Sequence, residues 1–186
     1  MSNPLRVAVL VGSLRKASVN RRMAHALAKA APQSLKLEIV EIGDLPLYNE
    51  DLEKGATPAA WTAFRDRVKG ADAVLFVTPE YNRSVPGALK NAVDVGSRPY
   101  GSSVWNGKPG AVVSVSPGGV GGFGANHHLR QSFVYLNVLM LQQPEAYIGN
   151  AGELFDEAGE IKNPSTREFL QKFMQAFDAW AAAHKK

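Results

Sequence analysis

The chain has 186 residues, 45% of them hydrophobic and 20% charged, and this ordinary composition predicts one domain, residues 1–186, large enough to bury a substantial core. The formal net charge of +4 is mild, and because basic and aromatic residues do not alternate, it does not indicate a nucleic-acid-binding surface. The chain has no cysteine, no secretory signal pattern and no apolar run of membrane-spanning length, which excludes disulfides and thiolate sites and predicts a cytoplasmic protein that does not enter a membrane.

The first element is a near-continuous apolar run, residues 5–11, which ends at Gly12. Such a run is typical of a strand that helices cover on both faces, as in the centre of a parallel sheet. The turn that follows leads into a helix near Ser18, and helix N-termini favour anions such as phosphate. Its side-chain donors are Ser13, Arg15, Lys16, Ser18 and Asn20. The alternative is that Ser18 only caps the helix and that the two bases are solvated.

A helix, a strand and a long loop come next. The pattern predicts a helix over residues 21–31 and a strand over residues 35–40. Residues 42–57 then read as a loop, and loops of that length are commonly functional or cover an interface. Pro58 begins a second helix, whose apolar positions are most simply explained as core.

Two more buried strands are each followed by a polar or glycine-rich loop. Residues 71–78 precede an exposed turn at 79–84, after which Pro86 begins a helix. Residues 110–115 run into the glycine-rich stretch 116–126 and another helix. Residues 119–124 formally match G-x-G-x-x-G, but so many glycines produce that spacing by chance. Backbone kept bare for the close approach of a flat ligand is the better interpretation.

The last strand is predicted at residues 138–141, resuming at 146–148, and a closing amphipathic helix begins at Asn163-Pro164. Alternating strands and helices predict an α/β fold with a doubly wound five-stranded parallel sheet in the order 2-1-3-4-5. In that order strands 1, 3 and 4 are neighbours, so the loops after them share one rim. One ligand with a phosphate and a flat polar ring would contact all three loops.

The segments GSLRKASVN (12–20), PEYNRSVPGALKNAVD (79–94) and SPGGVGG (116–122) resemble the motifs of the flavodoxin-like NAD(P)H-dependent FMN reductases, particularly the quinone and chromate reductase branch. The likeness runs from about Leu5 to Glu145. It implies that the FMN phosphate is held by Ser13, Arg15, Ser18, Val19 and Asn20. It implies that the ribityl chain and isoalloxazine are lined by Pro79, Glu80, Tyr81 and Asn82. It places at the pyrimidine edge of the ring Ser116, Gly118 and Gly119.

The resemblance also implies a reaction. FMN would take hydride from NADPH or NADH and pass two electrons to quinones and, less selectively, to chromate, other oxidised metal ions, azo compounds or free flavin. No catalytic side chain is expected, and the family forms homodimers or homotetramers. It often continues its third helix as D-W-x-S-R-P, whereas Val95 follows Asp94 here. The missing aromatic would loosen a subunit contact or the rim of the site.

Two other functions remain open at this stage. One is a flavodoxin-type electron carrier that binds FMN without its own NAD(P)H turnover, although flavodoxins are typically acidic and stack the ring between aromatics. The other is a regulatory protein that kept the fold and lost hydride transfer. His127 and His128 follow the glycine-rich loop, where they are either ordinary helix residues or groups that meet a substrate.

Overall fold

A computed structural model describes residues 3–185. The elements, in chain order, are β1 (Leu5–Val11), α1 (Val19–Ala30), β2 (Leu35–Ile39), α2 (Glu50–Lys54), α3 (Ala59–Lys69), β3 (Ala73–Thr78), α4 (Gly87–Gly96), β4 (Pro109–Val115), α5 (Phe123–Tyr135), β5 (Leu139–Met140), β6 (Ala146–Ile148) and α6 (Pro164–His184). Within the described residues, no helix combines the length and the apolar character that a bilayer crossing requires.

The strands form one parallel sheet in the order β2-β1-β3-β4-β5, and β6 also pairs with β4. The fifth position is therefore shared: β5 pairs with the start of β4, and β6 pairs with its end. The carboxyl ends of the central strands lie level with one another, because Val11 is the partner of Val77 and Thr78 the partner of Ser114. The predicted α/β fold and strand order are confirmed, and the loops after β1, β3 and β4 emerge along one edge.

Helices bury both faces of the sheet, which explains the continuous apolar runs of the central strands. In β1, Val7 and Val9 point into the core under α1 and α6, whereas Ala8 and Leu10 point into the core under α3, α4 and α5. β3 and β4 divide their side chains in the same alternating way. Because successive strand residues face opposite sides, each strand contributes to two cores.

The stretch 42–57 is not entirely loop, since it contains the short helix α2. Asn91 on α4 holds its start: its Oδ1 accepts from the Tyr48 N–H at 2.8 Å, and its Nδ2 donates to the Leu45 and Pro46 carbonyls. Trp61 Nε1 donates to the Pro46 carbonyl at 2.9 Å as well. These bonds fasten the start of the segment to α3 and α4.

Val95, at the position where the family often has an aromatic, lies in the same core cluster as Trp105. Val95 is fully buried, and Trp105, also fully buried, lies against the same helix. A Cβ at Gly96 would stand 2.5 Å from Cζ2 of Trp105, so the indole occupies the space that the glycine leaves. Trp105 Nε1 also donates to the Val93 carbonyl at 2.9 Å. Val95 thus belongs to the core of the chain.

Candidate active site

The loop between β1 and α1 presents both buried and exposed polar side chains. Ser13 and Ser18 are buried, and Ser18 Oγ accepts from the Arg21 N–H at 3.1 Å, so this serine does cap α1. Arg15 and Lys16 are exposed, and no described residue forms an ion pair with either. Val19, half-buried, begins the helix. The cap uses Ser18 without engaging the two cations, which leaves their charges for a ligand.

Asn20 carries a buried acceptor that nothing satisfies. Its side chain is 5% exposed, and its Nδ2 donates to the Val115 carbonyl at 3.4 Å, which links the first loop to the end of β4. Among described residues, its Oδ1 has no hydrogen-bond partner. A buried acceptor without a donor costs about 1–3 kcal/mol. A hydroxyl group brought by a ligand would remove that cost.

Gly12 allows the first loop to lie against the start of the second. Its N–H donates to the Val77 carbonyl at 2.9 Å. A Cβ at this position would stand 3.1 Å from both the Pro79 ring and Thr78 Oγ1. Pro79 itself is buried, so it forms the floor between the two loops rather than an exposed contact surface.

Residues 81–84 form a tight turn closed by two backbone hydrogen bonds. Tyr81 and Ser84 exchange N–H···O bonds of 3.0 and 2.9 Å. Asn82 and Arg83 between them have φ of 50° and 64°, the left-handed region that residues other than glycine seldom adopt. Tyr81 and Asn82 are exposed, and Ser84 Oγ lies 2.9 Å from His128 Nδ1. The turn therefore offers its tip to solvent while α5 holds its base.

Glu80 fastens this turn to the glycine-rich loop. Its Oε2 accepts from the Ala125 N–H at 3.1 Å, in the first turn of α5. The N-cap residue of that helix, Gly122, provides no side-chain cap, so a carboxylate from another loop supplies it and also meets the positive end of the helix dipole. The Glu80 side chain is 11% exposed, and its Oε1 lies 3.5 Å from Arg83 NH1. Its carboxylate thus has a structural partner within the protein.

Most of the glycines after β4 are required by protein packing. A Cβ at Gly121 would stand 2.6 Å from the Tyr147 carbonyl carbon, and the φ of Gly121 is +62°. A Cβ at Gly124 would stand 2.7 Å from the Arg83 carbonyl oxygen, and one at Gly149 would stand 2.7 Å from the Gly119 oxygen. Bare backbone was predicted here for a ligand, but at these positions the close neighbour is the protein itself.

Gly118 and Gly119 differ from the rest because they face open space. A Cβ at Gly119 would meet nothing within 4 Å, and one at Gly118 only Ser116 Oγ at 3.9 Å. Ser116 Oγ accepts from the Gly118 N–H at 3.3 Å. No described residue accepts from the Gly119 N–H, so this amide is available to donate to a ligand. A flat ring has room to approach these two residues.

The sequence did not single out the polar network that supports this loop. Asn126, fully buried on α5, donates through Nδ2 to Ser114 Oγ and to the Ala146 carbonyl, and it accepts from Arg130 Nε at 2.9 Å. Ser114 donates to the same carbonyl at 3.3 Å. A serine within an otherwise apolar strand was the available signal, because a buried hydroxyl requires a partner.

The rings of Phe123, His127 and Tyr147 form an aromatic cluster beside the glycine-rich loop. The His127 ring lies 4.1 Å from Phe123 and 6.0 Å from Tyr147, and His127 Nε2 is 2.9 Å from the Tyr147 hydroxyl. Burial, and then a hydrogen bond to Glu145, raise the pKa of Tyr147 to about 12. His127 therefore has partners that make it part of the packing around β6.

The three loops thus form one connected rim. Asn20 reaches β4, Gly12 lies against Pro79, and Glu80 holds α5. The first loop contributes cations and a helix N-terminus, and the last contributes two bare residues with an unused amide. Such a rim at the carboxyl edge of a 2-1-3-4-5 sheet defines a mononucleotide-binding protein of the flavodoxin-like class. The residues present fit FMN, whose phosphate, ribityl hydroxyls and flat ring match the cations, the Asn20 oxygen and the open glycines.

Comparison with known proteins identifies the family. Residues 5–153 match the family described as NADPH-dependent FMN reductase. The chain is 62% identical over 185 residues to a quinone reductase of Pseudomonas putida, covering 100% of this chain and 99% of that protein. It is 47% identical over 176 residues to a 2-hydroxy-1,4-benzoquinone reductase of a Burkholderia species, covering 95% and 96%.

A solved structure agrees. FerB, a flavoenzyme NAD(P)H:(acceptor) oxidoreductase from Paracoccus denitrificans, matches with a TM-score of 0.92 and 42% identity, covering 98% of this chain and 100% of that one. The chain belongs to the NADPH-dependent FMN reductase family. It is therefore an oxidoreductase that uses FMN and NAD(P)H.

Proposed function

We propose that this protein reduces quinones with electrons from NAD(P)H, as a single FMN-binding domain of residues 1–186. The observation that carries the proposal is the rim in which the three loops are fastened to one another around two open glycines and an unpaired buried oxygen. The full-length likeness to quinone reductases supports the choice of acceptor. When bound, FMN supplies the chemistry by accepting a hydride and returning two electrons.

The residues of the chain bind the FMN and orient it. Ser13, Arg15 and the α1 N-terminus hold the phosphate, with Ser18 and Val19 at the helix start. In place of the expected contact to the phosphate, Asn20 accepts from a ribityl hydroxyl, because its Oδ1 needs a donor. Pro79, Glu80, Tyr81 and Asn82 shape one side of the ring site. Ser116 and Gly118 hold the opposite loop, and the Gly119 N–H donates to the pyrimidine edge, where negative charge develops on reduction.

We expect one open face of the bound ring to serve both substrates. Donor and acceptor must then bind in turn, so we expect ping-pong kinetics with a quinone. An open face also has little basis for selecting its acceptor, so slower reduction of chromate, other oxidised metal ions, azo compounds and free flavin forms part of the proposal. We further place the protein in the cytoplasm, working as a homodimer or homotetramer.

The decisive experiment is an absorbance spectrum of the FMN-loaded protein before and after NADPH. We expect NADPH to bleach the flavin absorbance, 1,4-benzoquinone to restore it, and repeated additions to give catalytic turnover. An electron carrier of the flavodoxin type, or a regulatory FMN-binding protein, would show flavin absorbance without NAD(P)H turnover. That result would contradict the proposal while leaving the cofactor assignment intact.

A further inference from the structure

A second cleft lies beside the loop between β1 and α1, next to the end of β2. It has a volume of about 400 Å³ and is lined by the β1–α1 loop, the start of α1 and the residues that follow β2. The side chains and backbone that matter for the argument are Leu14, Arg15, Lys16, Arg21, Glu41 and Gly43. Ser13 and Arg15 line it as well, whereas Ser18, Asn20, Pro79 and Ser116 do not, so the cleft adjoins the FMN phosphate loop on the side of β2 and lies away from the loops after β3 and β4.

The charge of this cleft is positive. Arg15 and Lys16 are exposed and have no ion-pair partner among residues 3–185. Arg21 reaches across to Glu41, with NH1 donating to Oε2 at 3.2 Å and NH2 to Oε1. Because Arg15 serves the FMN phosphate, Lys16 and Arg21 against Glu41 leave one positive charge in the cleft. The surrounding stretch, residues 1–36, holds seven bases and no acid. A phosphate group is the ligand that this charge favours.

The cleft also has an apolar wall without polar obstruction. Leu14 is 56% exposed, an unusual position for a leucine beside so many charges. It stands over Gly43, where a Cβ would lie 3.4 Å from Leu14 Cδ2. Leu14 therefore fills the space that Gly43 leaves and presents an apolar surface to the cleft. A flat base carrying a phosphate on its sugar matches this combination of an exposed leucine and a neighbouring cation.

We infer that this cleft binds the 2′-phosphorylated adenosine end of NADPH, and that Lys16 and Arg21 make the enzyme prefer NADPH to NADH. The inference rests on the proposed function, in which a nicotinamide nucleotide is the hydride donor. Arg15 stands where the two anion sites meet and serves the FMN phosphate, whereas Lys16 serves the second phosphate. Glu41 weakens the site by holding Arg21, so the preference is finite.

The first test uses steady-state kinetics of the FMN-loaded enzyme with each nucleotide. Lys16→Gln and Arg21→Gln should each raise the KM for NADPH about tenfold, the size of one charge-assisted bond. The KM for NADH and the kcat with NADH should stay unchanged in Arg21→Gln, whose side chain is not part of the FMN site. For Lys16→Gln the readout is the ratio of the KM for NADPH to the KM for NADH. Glu41→Gln, which releases Arg21, should lower the KM for NADPH several-fold. Lys29→Gln is the matched control, because Lys29 lies on the same helix but pairs with Glu160.

The second test measures binding without turnover. Calorimetry on the FMN-loaded protein should show adenosine 2′,5′-bisphosphate binding about tenfold more tightly than adenosine 5′-monophosphate, with the difference lost in Lys16→Gln. An unchanged NADPH to NADH ratio in the variants, or equal binding of the two adenosine probes, would overturn the inference. Release of FMN from Lys16→Gln would also overturn it, because the cleft would then hold the flavin phosphate. Failure to oxidise either nucleotide would count against the proposed function alone, since calorimetry would still report on the cleft.

Discussion

The two ends of the candidate site are built in opposite ways. The 12–20 loop offers charged side chains to solvent and is held to its surroundings chiefly through Asn20 and the backbone of Gly12. The 116–124 loop carries no charged side chain, and protein backbone packs within 3 Å of the Cβ position of Gly121 and of Gly124. A phosphate is therefore bound by groups that reach toward it, whereas a ring is bound by a surface that packing has already made rigid. The two ends should respond differently to substitution.

The largest expected effect is at Gly121. Gly121→Ala places a Cβ 2.6 Å from backbone and in a residue with φ of +62°, so the loop must shift. We expect the free energy of unfolding to fall by about 2–4 kcal/mol. Gly119→Ala is the matched control: with open space around it, stability should change by less than about 0.5 kcal/mol while FMN binding weakens. Urea denaturation and FMN titration separate the two, and equal destabilisation would contradict the contrast.

Arg15 tests the charged end. Arg15→Ala should weaken FMN about ten- to a hundredfold, because a charge-assisted hydrogen bond is worth about 1.5–3 kcal/mol. Lys16→Ala should weaken FMN much less, and neither change should alter the stability of the apoprotein, since both side chains are exposed. Fluorescence titration with FMN measures the ranking. The reverse order would show that the inner and outer sides of this loop have been exchanged.

Glu80 links the 79–84 turn to the glycine-rich loop, so its removal should affect both the stability and the ring end of the site. Glu80→Ala takes away the acceptor for the Ala125 N–H at the positive end of α5. We expect about 1–2 kcal/mol of lost stability together with weaker FMN binding. Glu80→Gln keeps an acceptor oxygen and should lose less. If both variants bound FMN like the wild type, the 79–84 turn would not position the ring.

The smallest effect concerns pH. The pKa of Tyr147 is raised from 10.0 to about 12 in the folded protein, by burial first and then by Glu145. The unfolded chain therefore releases this proton at lower pH than the folded chain, so the tyrosine stabilises the fold below pH 10 and loses that contribution as the pH approaches 12. The free energy of unfolding, measured from pH 10 to about 12, should fall more steeply for the wild type than for Tyr147→Phe. Parallel curves would show that Tyr147 ionises freely.

Much of this architecture was predictable, because strands buried on both faces have continuous apolar sequences. The runs at β1, β3 and β4 indicated the central strands, and the order of a doubly wound sheet placed the three loops on one rim. The role of Glu80 was not predictable, since its partner Ala125 lies 45 residues away and nothing in PEYN indicates it. Bare backbone was predictable after β4, but whether a ligand or a neighbouring strand lies close to Gly121 depends on how β6 packs.

The position of Trp105 also makes the two helical layers distinguishable by fluorescence. Trp61 and Trp105 belong to the core under α3, α4 and α5, whereas Trp180 packs against the core under α1 and α6 and donates to the Leu139 carbonyl at 2.7 Å. Fully buried indoles such as the first two emit at shorter wavelength than a half-buried one. A chain that keeps only Trp105, compared with a chain that keeps only Trp180, would therefore report whether the two sides of the sheet unfold at the same denaturant concentration.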